Sequence, residues 1–266
     1  TMKLIAIGVI LLLPVLALSS TVVHTRQLAL PTADINRLSV QCGAGSLYII
    51  NTEGQDTIRV FAEIEVDNLN KSDHQGFADK HVVLSLSRQG RRAFLKSDLK
   101  ASLRPPVDAR INLTIEVPGG IDVFIDDGSG PIHVQHFSGH LDIKDNSGLI
   151  TIEKIVGNVR VADGSGKIII EDIRGNVEIR DGSGNIDVNK IKGDVRVTDG
   201  SGPIAIRYIE GNVTVTDGSG AIDINDIAGN VLIHEPGTGE INIARVKGTV
   251  RTQNEIEDTS PKLYDE

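Results

Sequence analysis

The chain has 266 residues, 39% of them hydrophobic and 24% charged, with 27 basic side chains against 36 acidic ones. A net charge of −9 excludes the basic footprint that nucleic-acid binding needs. The lone cysteine, Cys42, excludes an intrachain disulfide, and aromatics at 3% with no tryptophan leave few platforms for stacking sugars.

Met2-Lys3 leads into residues 4–18, an apolar run broken only by Gly8 and Pro14, which ends at Ala17-Leu18-Ser19-Ser20. A basic start, about 15 apolar residues and a small-residue end describe a secretory signal peptide over residues 1–20, cut near Ser19 or Ser20. An uncleaved anchor is the alternative, but the run is short of the ~20 residues that span a bilayer. The expected location is therefore exported (periplasmic, outer-surface or extracellular), with no membrane span after cleavage and no lipid-bearing cysteine near the cut. Removing one Lys and no acid leaves the mature chain 26 basic and 36 acidic residues, a net charge of −10.

Residues 21–37 show no clear period and read as a lead-in. Alternation begins at Leu38, Val40 and Cys42, and continues through Leu47 and Ile49 to Ile58, Val60, Ala62, Ile64 and Val66. Residues 67–80 are polar, a loop or short helix. A hairpin is predicted around Arg88-Gln-Gly-Arg-Arg92, a break at Arg104-Pro-Pro106, and one more strand through Ile111, Leu113, Ile115 and Val117, stopped by Pro118-Gly-Gly120. Residues 38–126 thus form an irregular N-terminal β cap continuous with the regular segment beyond it.

From residue 127 to 252 the chain repeats every 18 residues. Asp-Gly-Ser-Gly begins at Asp127, Asp163, Asp181, Asp199 and Asp217, the Asp145 copy has Asn146 for the first glycine, and a degenerate seventh copy, Glu235-Pro-Gly-Thr-Gly239, carries one extra residue. Each unit places aliphatics in alternation, as at Ile186, Val188, Ile191, Val195 and Val197, nearly all β-branched. Glycines nine residues apart (Gly184, Gly193) divide the unit into two strands and two turns. A fixed short period of this kind predicts an all-β, single-stack β-solenoid with two strands per coil, successive coils about 4.8 Å apart. Residues 253–266 are polar and acidic, an expected disordered tail.

Three features in this order resemble the bacterial putative-adhesin β-solenoid family: Gly45-Ser-Leu-Tyr-Ile49 with the alternating strand 58–66, Val117-Pro-Gly-Gly120, and the repeat Ser183-Gly-Asn-Ile-Asp-Val188 with Gly193-Asp-Val-Arg-Val197. The likeness covers about residues 38–252. It implies an exported β-solenoid and brings no catalytic residues.

Side chains at one repeat position form a column up the stack. Asp142, Arg160, Glu178 and Arg196 alternate in sign, as do Lys154, Asp172 and Lys190, so both columns read as self-compensating solvated faces. Asn158, Asn176, Asp194, Asn212 and Asn230 read as an amide ladder. The column that does not balance is Asp127, Asp145, Asp163, Asp181, Asp199 and Asp217, where each adjacent pair would repel by roughly 0.9 kcal/mol in water. Asx-turns, each carboxylate accepting an N–H two or three residues on, account for it. Ca²⁺ binding is the alternative, since carboxylates are hard-cation ligands. The Asp-first order differs from that of calcium-binding nonapeptide rolls, where Asp comes after the glycines. Six turn serines, Ser129 to Ser219, lack a base within the unit. His133, His136 and His140 lack a matching set of metal ligands. Coils of one length leave no side loops to build the cleft of a polysaccharide-cleaving β-helix. The expectation is a non-enzymatic, adhesin-like structural or interaction module with an unidentified protein or cell-surface partner and no cofactor. A calcium-binding adhesive rod and a glycan-active β-helix enzyme are the alternatives.

Overall fold

Isoleucine and valine at alternate positions, punctuated by glycine, build strands that can be buried on one face only, so two layers must close over each other. The computed structural model describes residues 22–66, 74–100 and 109–253. Within these, strands form two eleven-stranded sheets, and aliphatic side chains from both fill one core. At about 4.8 Å per strand the stack is about 48 Å long.

Through the repeats the chain lays one strand in each sheet per coil. Every strand is parallel to, and in register with, its counterpart one coil on, 18 residues away except at the last coil, where the step is 19. Ile150, Ile168, Ile186, Ile204 and Ile222 stand in one row, and Val159, Val177, Val195, Val213 and Val231 in another. All of these are 2% exposed or less. A one-residue slip would turn each row to solvent, which fixes the register. The chain is a β-solenoid of 18-residue coils.

Within the longer strand of each coil the inward residues include a pair three apart, such as Ile170 and Ile173, which plain alternation cannot bury together. Left-handed backbone at Asp172 (φ 57°) resolves this, and the same occurs at His136, Lys154, Lys190, Tyr208, Asp226 and Arg245 (φ 50–60°). Such a residue costs about 1–2 kcal/mol. Burying the second isoleucine returns about 1.5–3 kcal/mol, so the corner holds without glycine.

The N-terminal region extends both sheets irregularly. Arg37–Gln41 lies between Arg92–Leu99 and Asp122–Asp126, and Leu47–Thr52 between Ala109–Pro118 and Ile132–Ser138. The lead-in holds structure that its sequence hid: Val22–Pro31 is a strand antiparallel to Thr57–Val66. At this sheet edge Leu28 and Leu30 are half-buried against the core, too little to print a clear period. The predicted hairpin is Val82–Gln89 with Arg92–Leu99. Helix His74–His81 packs against the edge strands of both sheets, with Phe77 and Ala78 in the core, and Asp79 takes an ion pair from Arg26 at 2.8 Å. At the other end, the extra residue sets Ile222 beside Ile241. Ile241 and Val250 are 36% and 46% exposed, where Ile222 and Val231 are 1%. The signal segment, the Arg104-Pro-Pro106 break and the tail from residue 254 lie outside the described residues. Among those that are described, no helix is long and apolar enough to cross a membrane.

Candidate functional site

Pleating decides where the aspartates point. In Val159–Asp163 residues 159, 161 and 163 share one face, and because Val159 and Val161 are core, Asp163 turns inward with them. The same holds for Asp145, Asp181, Asp199 and Asp217, which pair in register from coil to coil. Asp127 continues the column, its N–H donating to the Lys144 carbonyl at 2.9 Å. All six are 1–8% exposed. Gln41 stands beside both Asp126 and Lys96, so the next residues carry the column on through Cys42 to the buried Ser97. Cys42 is half-buried against the core, as a small core residue would be, and its thiol donates to Asp127.

The expected Asx-turns form at three of the six aspartates. The N–H groups of Ser165, Ser183 and Ser219 donate to Oδ1 of Asp163, Asp181 and Asp217 at 3.3, 3.3 and 3.1 Å, and that of Asn146 to Asp145 Oδ1 at 2.8 Å. This satisfies half of each carboxyl. Oδ2 of Asp127, Asp145, Asp163, Asp181 and Asp217, and both oxygens of Asp199, are buried without a hydrogen-bond partner.

The column therefore stands out of water, and the repulsion of solvated charges understates its cost. At an effective dielectric of about 20, full charges 4.8 Å apart repel by about 3.5 kcal/mol. Five such gaps would cost about 17 kcal/mol, more than the usual net stability of a domain, about 5–15 kcal/mol. Ionisation of the whole column is therefore strongly opposed. Burial pushes the Asp127 carboxyl up to about 7, against the opposing pull of the Cys42 thiol. Burial, then repulsion from the carboxyls above and below, raises Asp163 and Asp199 to about 6. Burial also raises Asp145, Asp181 and Asp217, and burial followed by Asp127 raises the Cys42 thiol.

The donor set suits a metal ion poorly. Each gap between coils offers two free carboxylate oxygens, or three beside Asp199. The turn carbonyls are spent: those of Asp145, Asp163, Asp181 and Asp199 accept from Gly164, Gly182, Gly200 and Gly218, and those of Ser165, Ser183 and Ser201 from Gly148, Gly166 and Gly184. Calcium takes about 6–8 oxygens. Among the described residues, no three His, Cys, Asp or Glu side chains are placed to hold a metal.

The outer columns are also largely committed. Arg160 pairs with Asp142 at 3.7 Å and Glu178 at 3.2 Å, as its alternating column predicts. Lys190 meets Glu171 at 2.6 Å rather than Asp172, its neighbour in the column. In the asparagine column the expected side-chain bonds, Asn212 Nδ2 to Asp194 Oδ1 at 3.1 Å and Asn230 Nδ2 to Asn212 Oδ1 at 3.2 Å, are joined by main-chain ones. Oδ1 of Asn158, Asn176, Asp194, Asn212 and Asn230 accepts the main-chain N–H of the residue one coil on, at 2.7–2.9 Å. Below them, Asp122 and His140 do the same for His140 and Asn158. The three histidines do not converge: His140 serves this ladder, His136 meets Lys154 at 3.4 Å, and His133 lies tilted against Tyr48. The left-handed corners and the inward turn of the carboxyls escaped sequence reasoning. The three-residue aliphatic spacing and the in-phase position of each Asp after two valines or isoleucines carried that signal.

Two sheets wound through one stack of near-identical coils define a β-solenoid repeat protein. Neither a protein-family model nor a curated protein sequence matches the chain. Solved structures similar to it include a putative lipid binding protein from Parabacteroides distasonis ATCC 8503 (13% identity, 86% of this chain, 96% of that one, TM-score 0.48). Others are a putative cell adhesion protein from Clostridium sporogenes ATCC 15579 (10%, 86%, 99%, 0.34) and a putative adhesin from Parabacteroides merdae ATCC 43184 (10%, 86%, 96%, 0.34). With TM-scores under 0.5, these are distant likenesses.

Proposed function

We propose that the chain is an exported, adhesin-like interaction rod of the cell envelope or surface, which binds a protein or surface partner and performs no chemistry. The observation that carries this reading is uniformity. From Leu141 to His234 each coil repeats in register without a side loop. Its outward side chains pair largely with one another or with the backbone. Such a surface presents rows of groups at about 4.8 Å steps rather than a cleft with clustered acids. Partner contact is best served where the rows end, at the half-exposed Ile241 and Val250.

The test immobilises the full chain and challenges it with envelope fractions and whole cells of the source organism. Saturable retention is expected, weakened by Ile241→Lys combined with Val250→Lys. Incubation with a panel of polysaccharides is expected to release no new reducing ends. Turnover there, or no retention on any fraction, would refute the reading.

A further inference from the structure

We propose that the ligand of the interior aspartate column is the proton, which makes the solenoid an acid-stabilised rod that loosens as pH rises through neutrality. The inference stands on the column itself and is independent of the adhesive reading. Six side chains, each more than nine-tenths buried, aim at least one unpartnered oxygen into the core at successive coils. Groups with that much unmet capacity keep a ligand or lose their charge.

Among the described residues no counter-charge faces them. Apart from Ser97, the six are the buried polar or charged residues among those described. Cys42 and Ser97, at the column's lower end, are uncharged hydrogen-bonding groups, and nearby Asp126 adds only negative charge. Glu235, level with the last rung, is exposed. The cations nearest in sequence, Lys144 and Arg180, alternate to the outer face, where Arg180 meets Glu178 at 3.0 Å. A metal ion would need several more oxygens than each gap supplies, whereas a proton needs one. A carboxyl bound to a proton is neutral, so it removes the repulsion between rungs and the burial penalty together.

Proton linkage sets the direction of the pH effect. Folded carboxyls titrating above their unfolded value of about 3.9 bind more protons than the unfolded chain does. Their stabilisation is complete below that value. It is lost as pH rises through about 6 for Asp163 and Asp199, and about 7 for Asp127.

The experiment is thermal unfolding of the full chain from pH 4.5 to 8.5 at constant ionic strength, beside an Asp163→Asn, Asp181→Asn, Asp199→Asn variant that mimics the neutral rungs. Wild type is expected to melt about 10 °C lower at pH 8 than at pH 5. The variant is expected to show a flatter profile and to melt above wild type at pH 8. Should the variant fail to fold, unfolding wild type at pH 6 in dilute buffer gives a second reading, with net proton release expected. A wild-type Tm that is level or rises from pH 5 to pH 8 overturns the proposal, as does a variant that keeps the wild-type slope, or unfolding without proton release. Calcium that restores the pH 5 melting temperature at pH 8 would assign the oxygens to a metal instead, and would equally overturn it.

Discussion

Replacing Gly184 with alanine tests how tightly the coils stack. A β-carbon there would stand 1.6 Å from the Gly166 carbonyl oxygen, on a backbone with φ +152°. Reaching even 3.0 Å requires the two coils to part by about 1.4 Å, which breaks neighbouring rungs such as Gly166 N–H to Ser183 O at 3.0 Å and Gly182 N–H to Asp163 O at 3.1 Å. Two lost hydrogen bonds at about 1 kcal/mol each, with about 1–3 kcal/mol for the unfavourable φ, give a destabilisation of about 3–5 kcal/mol. Gly54→Ala is the control: its φ is +72° but nothing lies within 4 Å, so only the backbone cost of about 1–2 kcal/mol applies. Urea unfolding monitored by circular dichroism measures both, with the slope checked because stacked repeats can unfold in parts. If Gly184→Ala loses no more than Gly54→Ala, the coils are looser than described and the clash argument is wrong.

Two further outcomes are expected. Ile191→Asp places an unpaired carboxylate at a position 1% exposed and should cost more than about 3 kcal/mol, opening the middle coils to limited proteolysis; near-wild-type melting would contradict the inward assignment. Asn176→Ala removes the acceptor of the Asp194 N–H (2.9 Å) and should cost about 1 kcal/mol, with faster hydrogen exchange at the Asp194 amide and little change at Asn212.

Much of the architecture is written in the sequence because coils that differ little repeat one physical solution. Ile186, Val188, Ile191, Val195 and Val197 declare strand, face and corner by spacing alone, and 18-residue recurrence turns that into register. The parts that stayed hidden are those where one residue type serves two environments. An aspartate before Gly-Ser-Gly looks the same whether its carboxyl faces water or core, and only counting alternation back to Val159 and Val161 turns Asp163 inward. Likewise Lys190 and Tyr208 give no residue-type sign of left-handed backbone, since burial of the isoleucine beyond them, not glycine, sustains it. The strand Val22–Pro31 was hidden for the opposite reason: an edge buries too little to leave a period.

The helix His74–His81 gives the rod a polarity beyond that of its chain. It contacts the edge strands of both sheets at that end, whereas the described residues leave the strands Ile241–Val246 and Val250–Gln253 without outer neighbours. Copies meeting through these last strands would be related by a two-fold axis, because the same edges would face each other.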